Sequence, residues 1–350
     1  MSKTIEIEGV SIGPGHSVFT IAEIGSNHGQ SKETVKKLID HSVEAGFDAI
    51  KFQIYDAEQV FSKDVLTSDV GLDNLYGVKP WWEVARDVIL MPRDWFGEMF
   101  AYVRSKGKIP LCAIHRVEDA EFLLQYDLPA FKIASIDLNY MRLLEQLVPY
   151  EKPFIVSTGM AYLSEIDETM RFLKSHNADV TLLHCVSQYP AKPSEMNLNN
   201  LKLFQQAFNV PVGLSDHSTG VVSSVVSVGL GASVVEKHIT LDKNSPGPDH
   251  PFSIEPPEMH QLIKAIRDAE CSLGRAERVL SEKELAARKM VRRSVVASKS
   301  IKKGDLLTLD NVKFARPGSG IPANEFKYMI NRPVSSEVDA EALLTWEDVE

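Results

Sequence analysis

The 350-residue sequence predicts an α/β protein: a (β/α)8 TIM barrel followed by a small C-terminal domain. Three observations predict it. Short β-branched runs alternate with longer amphipathic segments as far as about residue 275. The runs number eight, which favours a parallel sheet closed on itself over an open one. After Arg293 the texture changes to short strands and turns rich in Gly and Pro. The expected boundaries are therefore 1–280 for the barrel, 281–292 for a linker helix and 293–350 for the second domain.

The strand candidates, in order, are Phe19–Ile24, Ala49–Ile54, Ile109–Ile114, Ala130–Ser135, Phe154–Ser157, Val180–His184, Pro211–Ser215 and Ser233–His238. Between them fall helices such as Ser31–Ala45, whose Val35, Leu38, Ile39 and Val43 recur at helical spacing. The others are Pro92–Ser105, Val117–Gln125, Tyr140–Leu147, Ser164–Lys174, Leu198–Phe208, Val221–Leu230 and Pro256–Leu273. The insertion Asp56–Trp82 is too long for an ordinary strand–helix connection, and such loops are often lids. Its Tyr76, Trp81 and Trp82 are equally consistent with packing on the barrel rim. The tail, with Ser294–Lys299 as a strand and Ala315-Arg-Pro-Gly-Ser-Gly320 as a loop, is small for an independent core. It is expected to be tied down on its own barrel or on a partner subunit.

Composition narrows the function classes. Hydrophobic residues at 44% supply a large core, and a net charge of −10 argues against non-specific nucleic-acid binding. An anionic substrate must then be drawn by lysines focused in a cleft, against the overall field. Cys112, Cys185 and Cys271 lack metal-type spacing and read as reduced thiols in a cytoplasmic protein. Neither an apolar signal core nor a run of about 18 apolar residues is present, so no membrane association is expected.

In barrels of this class chemistry sits at the C-terminal ends of the strands, and there the polar residues gather. Glu23 ends the first strand; Lys51 and Gln53 end the second. Lys132, Ser135 and Asp137 follow the fourth, Ser157 the fifth and His184 the sixth. Ser215, Asp216 and His217 follow the seventh, Glu236 and His238 the eighth. Residues two apart on a strand share a face, so Lys51 and Gln53 point the same way. A buried lysine must find an anion. Each lysine alone is explained equally well by a structural ion pair. The two lysines and three serines together suit a phosphate or carboxylate ligand.

His217 and His238 end neighbouring strands. Either alone reads as a capping or core histidine, but as a pair they suit an open site for Mn, Mg or Co rather than a closed zinc site. Asp216 and Glu236 are candidates to orient the imidazoles. Glu23, entering a Gly-containing turn, is a candidate general acid or base. His184 reads as core, and His28, His115 and His250 read as loop or solvated residues.

The segments Ala22-Glu-Ile-Gly-Ser-Asn-His28, Lys51-Phe-Gln53, Lys132-Ile-Ala-Ser135, Ser157-Thr-Gly-Met160, His184-Cys-Val-Ser-Gln-Tyr-Pro190, Gly213-Leu-Ser-Asp-His217 and Pro246-Gly-Pro-Asp249, in this order, resemble the sialic acid synthase family. The tail, with Ile301-Lys-Lys-Gly-Asp305 and Arg316-Pro-Gly-Ser-Gly320, is similar to that family's antifreeze-like (SAF) domain. The resemblance implies an enzyme that condenses phosphoenolpyruvate with an N-acylated hexose to a nine-carbon 2-keto acid, releasing phosphate. N-acetylneuraminate is the product implied first. Legionaminic or pseudaminic acid made from a 6-deoxy diacetamido hexose, or a polysaccharide-specific product, are the alternatives.

The resemblance further implies that His217 and His238 hold a divalent metal, Mn first. Lys51, Lys132, Ser135, Ser157, Ser187 and Ser215 would then hold phosphoenolpyruvate, with Gln53, Tyr189 and Asp249 facing the sugar. Glu23 and Asp137 are the implied acid/base residues. Arg316 would reach into a partner's barrel in a domain-swapped homodimer. Two positions depart from the pattern: Asp137 replaces a glutamate, and Cys112-Ala-Ile-His115 replaces a Ser-Thr-Pro-Phe-like end to the third strand. Two rivals stand beside this reading. One is a Schiff-base aldolase using Lys132 or Lys51; the other is a non-catalytic barrel scaffold carrying a carbohydrate-binding tail.

Overall fold

The computed structural model describes residues 3–350, in two compact units, one through Gly274 and one from Arg275. The first unit opens with a short antiparallel hairpin, β1 (Ile5–Ile7) and β2 (Val10–Ile12). Eight parallel strands follow: β3 (Phe19–Glu23), β4 (Ala49–Ile54), β5 (Ile109–Ile114), β6 (Phe131–Ile133), β7 (Phe154–Ser157), β8 (Val180–Cys185), β9 (Val212–Asp216) and β10 (Val234–His238). They close in sequence order, with β10 pairing β3 so that His238 stands opposite Glu23. This is the expected TIM barrel.

Helices α1 (Lys32–Ala45), α2 (Phe96–Ser105), α3 (Val117–Leu124), α4 (Met141–Leu147), α5 (Leu163–Ser175), α6 (Asn200–Phe208), α7 (Val222–Gly229) and α8 (Pro256–Leu273) follow the successive strands. The first begins where Ser31 accepts a hydrogen bond from the Thr34 amide, and buries Val35, Leu38 and Ile39 against the strands. The alternating faces of the strands build two cores. Outward residues such as Phe52, Ile114 and Val156 meet the helices. Inward residues Phe19, Ile21, Leu111, Ile155, Leu183 and Val234 fill the lower barrel.

The hairpin, which the strand pattern does not announce, adds Ile5, Ile7 and Ile12 to that inner layer and plugs the N-terminal end. Replacing Ile7 with Ala leaves a cavity there and should destabilise the barrel by about 2–4 kcal/mol. Chemical denaturation would measure it.

Two expectations need correcting. The fourth strand is only Phe131–Ile133, because Ser135–Asp137 turns into a single helical turn and one residue pair, Ala113 with Lys132, joins it to β5. The insertion after β4 is not a loose lid. Its short helical turns Ala57–Val60, Asp73–Tyr76 and Trp81–Val84 carry an apolar cluster of their own, in which Trp81 is buried and Tyr76 and Trp82 pack alongside. Among the described residues no helix is long and apolar enough to cross a membrane.

The second unit begins with α9 (Glu282–Val291), capped by Ser281. Strands β11 (Ser294–Ala297) and β12 (Val312–Ala315) then pair antiparallel. Val295, Ile301, Leu307, Phe326, Met329, Val334 and Leu344 form its core.

Candidate active site at the C-terminal rim of the barrel

The inward face changes character one layer above the apolar plug. Strand alternation brings Glu23, Lys51, Lys132, Ser157, Ser215 and Glu236 to the same level, all buried. Above them Gln53, Ala113, Ser135, Cys185, His217 and His238 line a cavity with Ser187 and Tyr189 from the loop after β8. Tyr55, Val60, Phe61 and His115 complete its wall.

The lower layer is a knot of charge. Lys51 Nζ lies 2.6 Å from Glu23 Oε2 and 3.6 Å from Glu236 Oε2. Lys132 Nζ lies 3.6 Å from Glu236 Oε1 and donates to Ser157 Oγ at 2.8 Å. Ser215 donates to Glu236 at 2.9 Å, and Gln53 donates to Glu23 at 2.7 Å. Both readings of the lysines are therefore realised: they are ion-paired, and they line the cavity.

Environment sets the two carboxyls apart. Glu236 is fully buried, which opposes its ionisation, but Lys132 and Lys51 outweigh this and hold it low. Burial pushes Glu23 up, against the pull of Lys51. Burial likewise opposes charge on Lys51, yet Glu23 and Glu236 raise it; on Lys132 burial wins and its basicity falls. Two lysines and two carboxyls thus share the layer, and the lysines outweigh burial at Glu236 but not at Glu23.

The two histidines face one another across the same cavity, ring centroids 5.4 Å apart, with Phe252 edge-on to both. His217 Nδ1 is bound by the Val186 carbonyl at 2.9 Å, which leaves Nε2 free to ligate. His238 Nδ1 is buried without a partner, and burial holds this imidazole neutral, its pKa lowered to about 3. Among the described residues no cluster of three or more His, Cys, Asp or Glu side chains would enclose a metal. Two nitrogens suit an open site whose remaining ligands come from substrate and water.

Two glycines keep this geometry. Gly25 adopts φ +53°, and a Cβ there would lie 2.5 Å from Asp249 Oδ2 and 3.1 Å from His238 Nδ1. Asp249 is instead seated on Ser26, accepting from its amide and hydroxyl at 2.9 and 2.8 Å. Gly159 donates its amide to Ser135 Oγ, and a Cβ there would meet Ser187 Oγ at 2.1 Å and Ser135 Oγ at 2.8 Å. Gly159→Ala should therefore push both hydroxyls aside and weaken the binding of inorganic phosphate in the cavity on the order of tenfold or more, which calorimetry would measure.

The structure gathers Lys51, Gln53, Lys132, Ser135, Ser157, Ser187, Tyr189, Ser215, His217 and His238 around one cavity. Glu23 lies directly beneath them, and Asp249 lies beside His238 at 4.0 Å. Asp137 does not line the cavity; its Oδ2 lies 2.6 Å from His115 Nδ1. Arg316 is in the second unit, exposed, and donates to the Val291 carbonyl at 2.8 Å.

Asp216 does not orient an imidazole. The strand turns it outward, where it accepts from Ser218 and Ser224 and pairs with Lys237 at 3.0 Å. Glu236 serves the lysines instead. His184 is core, bound to the Met196 carbonyl. His28, His115 and His250 are buried rather than solvated; His28 binds the Ile89 carbonyl and anchors the insertion. Sequence reasoning marked His115 as the end of a departing segment but left it as a loop or solvated residue, although it follows a barrel strand as Lys51, Lys132 and the two rim histidines do.

Comparison with known proteins places this arrangement. A family model described as the NeuB family matches residues 38–278, and one for the SAF domain matches residues 292–350. This chain belongs to the NeuB family. The N,N'-diacetyllegionaminic acid synthase of Legionella pneumophila is 32% identical over 97% of this chain and 96% of its own length. A pseudaminic acid synthase of Campylobacter jejuni is 34% identical over 92% of this chain and 94% of its own. The crystal structure of an N-acetylneuraminic acid synthetase from Leptospira borgpetersenii superposes with a TM-score of 0.73 at 29% identity, covering 82% of this chain and 95% of that one. This NeuB-family chain is an enzyme of the sialic acid synthase type, with a TIM barrel and a SAF domain.

Proposed function

We propose that the rim cavity condenses phosphoenolpyruvate with the open-chain form of an N-acylated hexose, giving a nine-carbon 2-keto acid and inorganic phosphate. The observation that carries this is the stacking of a lysine- and hydroxyl-lined layer directly beneath two facing histidines. Lys51 and Lys132, with Ser135, Ser157, Ser187 and Ser215, hold the phosphate and carboxylate of phosphoenolpyruvate. C3 then attacks the aldehyde carbon, whose oxygen takes a proton. Water adds at C2, and the tetrahedral adduct expels phosphate by C–O cleavage to leave the ketone.

His217 and His238 are the residues that would hold a divalent metal, Mn first, which when bound supplies Lewis acidity toward the aldehyde oxygen. Glu23, with its raised pKa and its hydrogen bond from Gln53, is the proton carrier behind the reacting groups. Gln53, Tyr189 and Asp249 face the sugar. The acceptor is assigned here as a class, because relatives that make different nine-carbon acids resemble the chain to a similar degree.

The test is phosphate release from phosphoenolpyruvate with N-acetylmannosamine and diacetamido 6-deoxy hexoses, with Mn and with chelator. Metal-dependent release with one of them is expected; none with any would end the proposal.

One observation favours a second reading. Burial lowers the basicity of Lys132, as a Schiff-base nucleophile requires. That reading predicts chelator-resistant turnover and trapping of pyruvate on Lys132 by borohydride.

A domain-swapped homodimer, with Arg316 completing a partner's site, accords with α9, which exposes Leu285, Met290 and Val291. Mixing Arg316→Ala with Lys132→Met subunits should restore activity that neither has alone.

A further inference from the structure

The two positions that depart from the resemblance touch one another. Asp137, a methylene shorter than the expected glutamate, accepts at 2.6 Å from Nδ1 of His115, the residue that ends the departing Cys112-Ala-Ile-His115 segment. The imidazole is buried in the cavity wall, edge-on to Tyr55 at 5.1 Å, and its Nε2 has no hydrogen-bond partner. Such a nitrogen is destabilising unless something satisfies it.

Its neighbours define what could do so. Of the residues that line the cavity with it, Ala113, two residues back on the same strand face, Phe61 and Val60 offer no hydrogen-bonding side chain, and the Tyr55 hydroxyl does not bond to Nε2. The anion donors Lys132, Ser157 and Ser215 lie in the layer below and already have partners among themselves and Glu236. His115 therefore belongs to the upper, acceptor-facing part of the cavity.

We propose that the His115–Asp137 pair is a specificity element for the acceptor sugar. With Nδ1–H committed to Asp137, Nε2 presents a lone pair and accepts a hydrogen bond from a hydroxyl or amide N–H of the acceptor. Asp137 acts through the ring, as a positioning residue. The shortened carboxylate and the histidine are one device: the missing methylene leaves room for the imidazole, which carries the polar contact into the cavity. This rests on the condensation proposed above and goes beyond it by stating what the acceptor must offer: a donor opposite the β5 end of the barrel.

The test compares wild type, His115→Phe, His115→Gln and Asp137→Ala with acceptors and their single-deoxy analogues. Wild type should discriminate against one deoxy analogue by about 100-fold or more, since a site built around a substrate hydroxyl rejects its absence strongly. His115→Phe should lose that discrimination and raise the acceptor KM at least about tenfold, with the KM for phosphoenolpyruvate unchanged. His115→Gln, which keeps an acceptor atom, should restore part of it. Asp137→Ala should shift the acceptor KM in the same direction by less, and decides the matter should His115→Phe fail to fold. Unchanged acceptor KM and unchanged discrimination in a folded His115→Phe, or in Asp137→Ala, would overturn the inference. Silence of the wild type toward every acceptor would instead overturn the condensation on which it rests.

Discussion

Replacing Lys51 with methionine is expected to abolish turnover and weaken the fold in one stroke. Lys51 is the only cation within 2.6 Å of Glu23 among the described residues, and it shares Glu236 with Lys132. Its loss strands buried carboxyl groups, and removing one partner of a buried ion pair typically costs about 3–5 kcal/mol. It also removes a charge aimed at the phosphate or carboxylate of phosphoenolpyruvate, worth about a thousandfold in kcat/KM.

The pH dependence of stability should change as well. Glu236 is held below its ordinary value by Lys132 and Lys51 against the burial that raises it. Its contribution is fully present above that ordinary value near 4.5 and is lost as pH falls toward about 2. With one lysine gone the depression shrinks, so the loss still begins near 4.5 but is smaller and is complete at a higher pH. Denaturation at stepped pH, beside a phosphate-release assay, measures both effects. A variant of wild-type stability and turnover would show that the charged layer is neither structural nor catalytic.

The second large effect is expected at the histidines. His217→Ala or His238→Ala should remove Mn binding measured by calorimetry and lower turnover by about a thousandfold, several kcal/mol of charge stabilisation. Chelation of the wild type should match the variants, and added Mn should rescue the wild type alone. Folding should suffer less in His238→Ala, whose Nδ1 has no hydrogen-bond partner among the described residues, than in His217→Ala, which also loses the bond to the Val186 carbonyl. Full activity of both variants would transfer the chemistry to Lys132.

The barrel was legible because parallel strands buried on both faces read as continuous apolar runs, and most of the polar residues that interrupt them gather at the C-terminal ends. That rule located Lys51, Lys132, His217 and His238. It also contains the information that Asp216 faces outward, since Ser215 and His217 flank it on the inward side. The β1–β2 hairpin escaped notice because three-residue strands carry too little periodicity to stand out. The insertion escaped because its helices are single turns, whose apolar residues meet only in three dimensions. His115 was hidden for a different reason. A lone histidine after a strand is unremarkable until its carboxylate partner, on the next loop over, is seen at 2.6 Å.

The hairpin plug has a consequence for traffic. Ile5, Ile7 and Ile12 fill the lower end of the tube, and the lysine layer is the floor of the cavity above them. The proposed condensation then predicts an ordered traffic: phosphoenolpyruvate seated on that floor ahead of the sugar, and phosphate leaving after the sugar-derived product as a competitor of the next phosphoenolpyruvate, a pattern that product-inhibition kinetics would show.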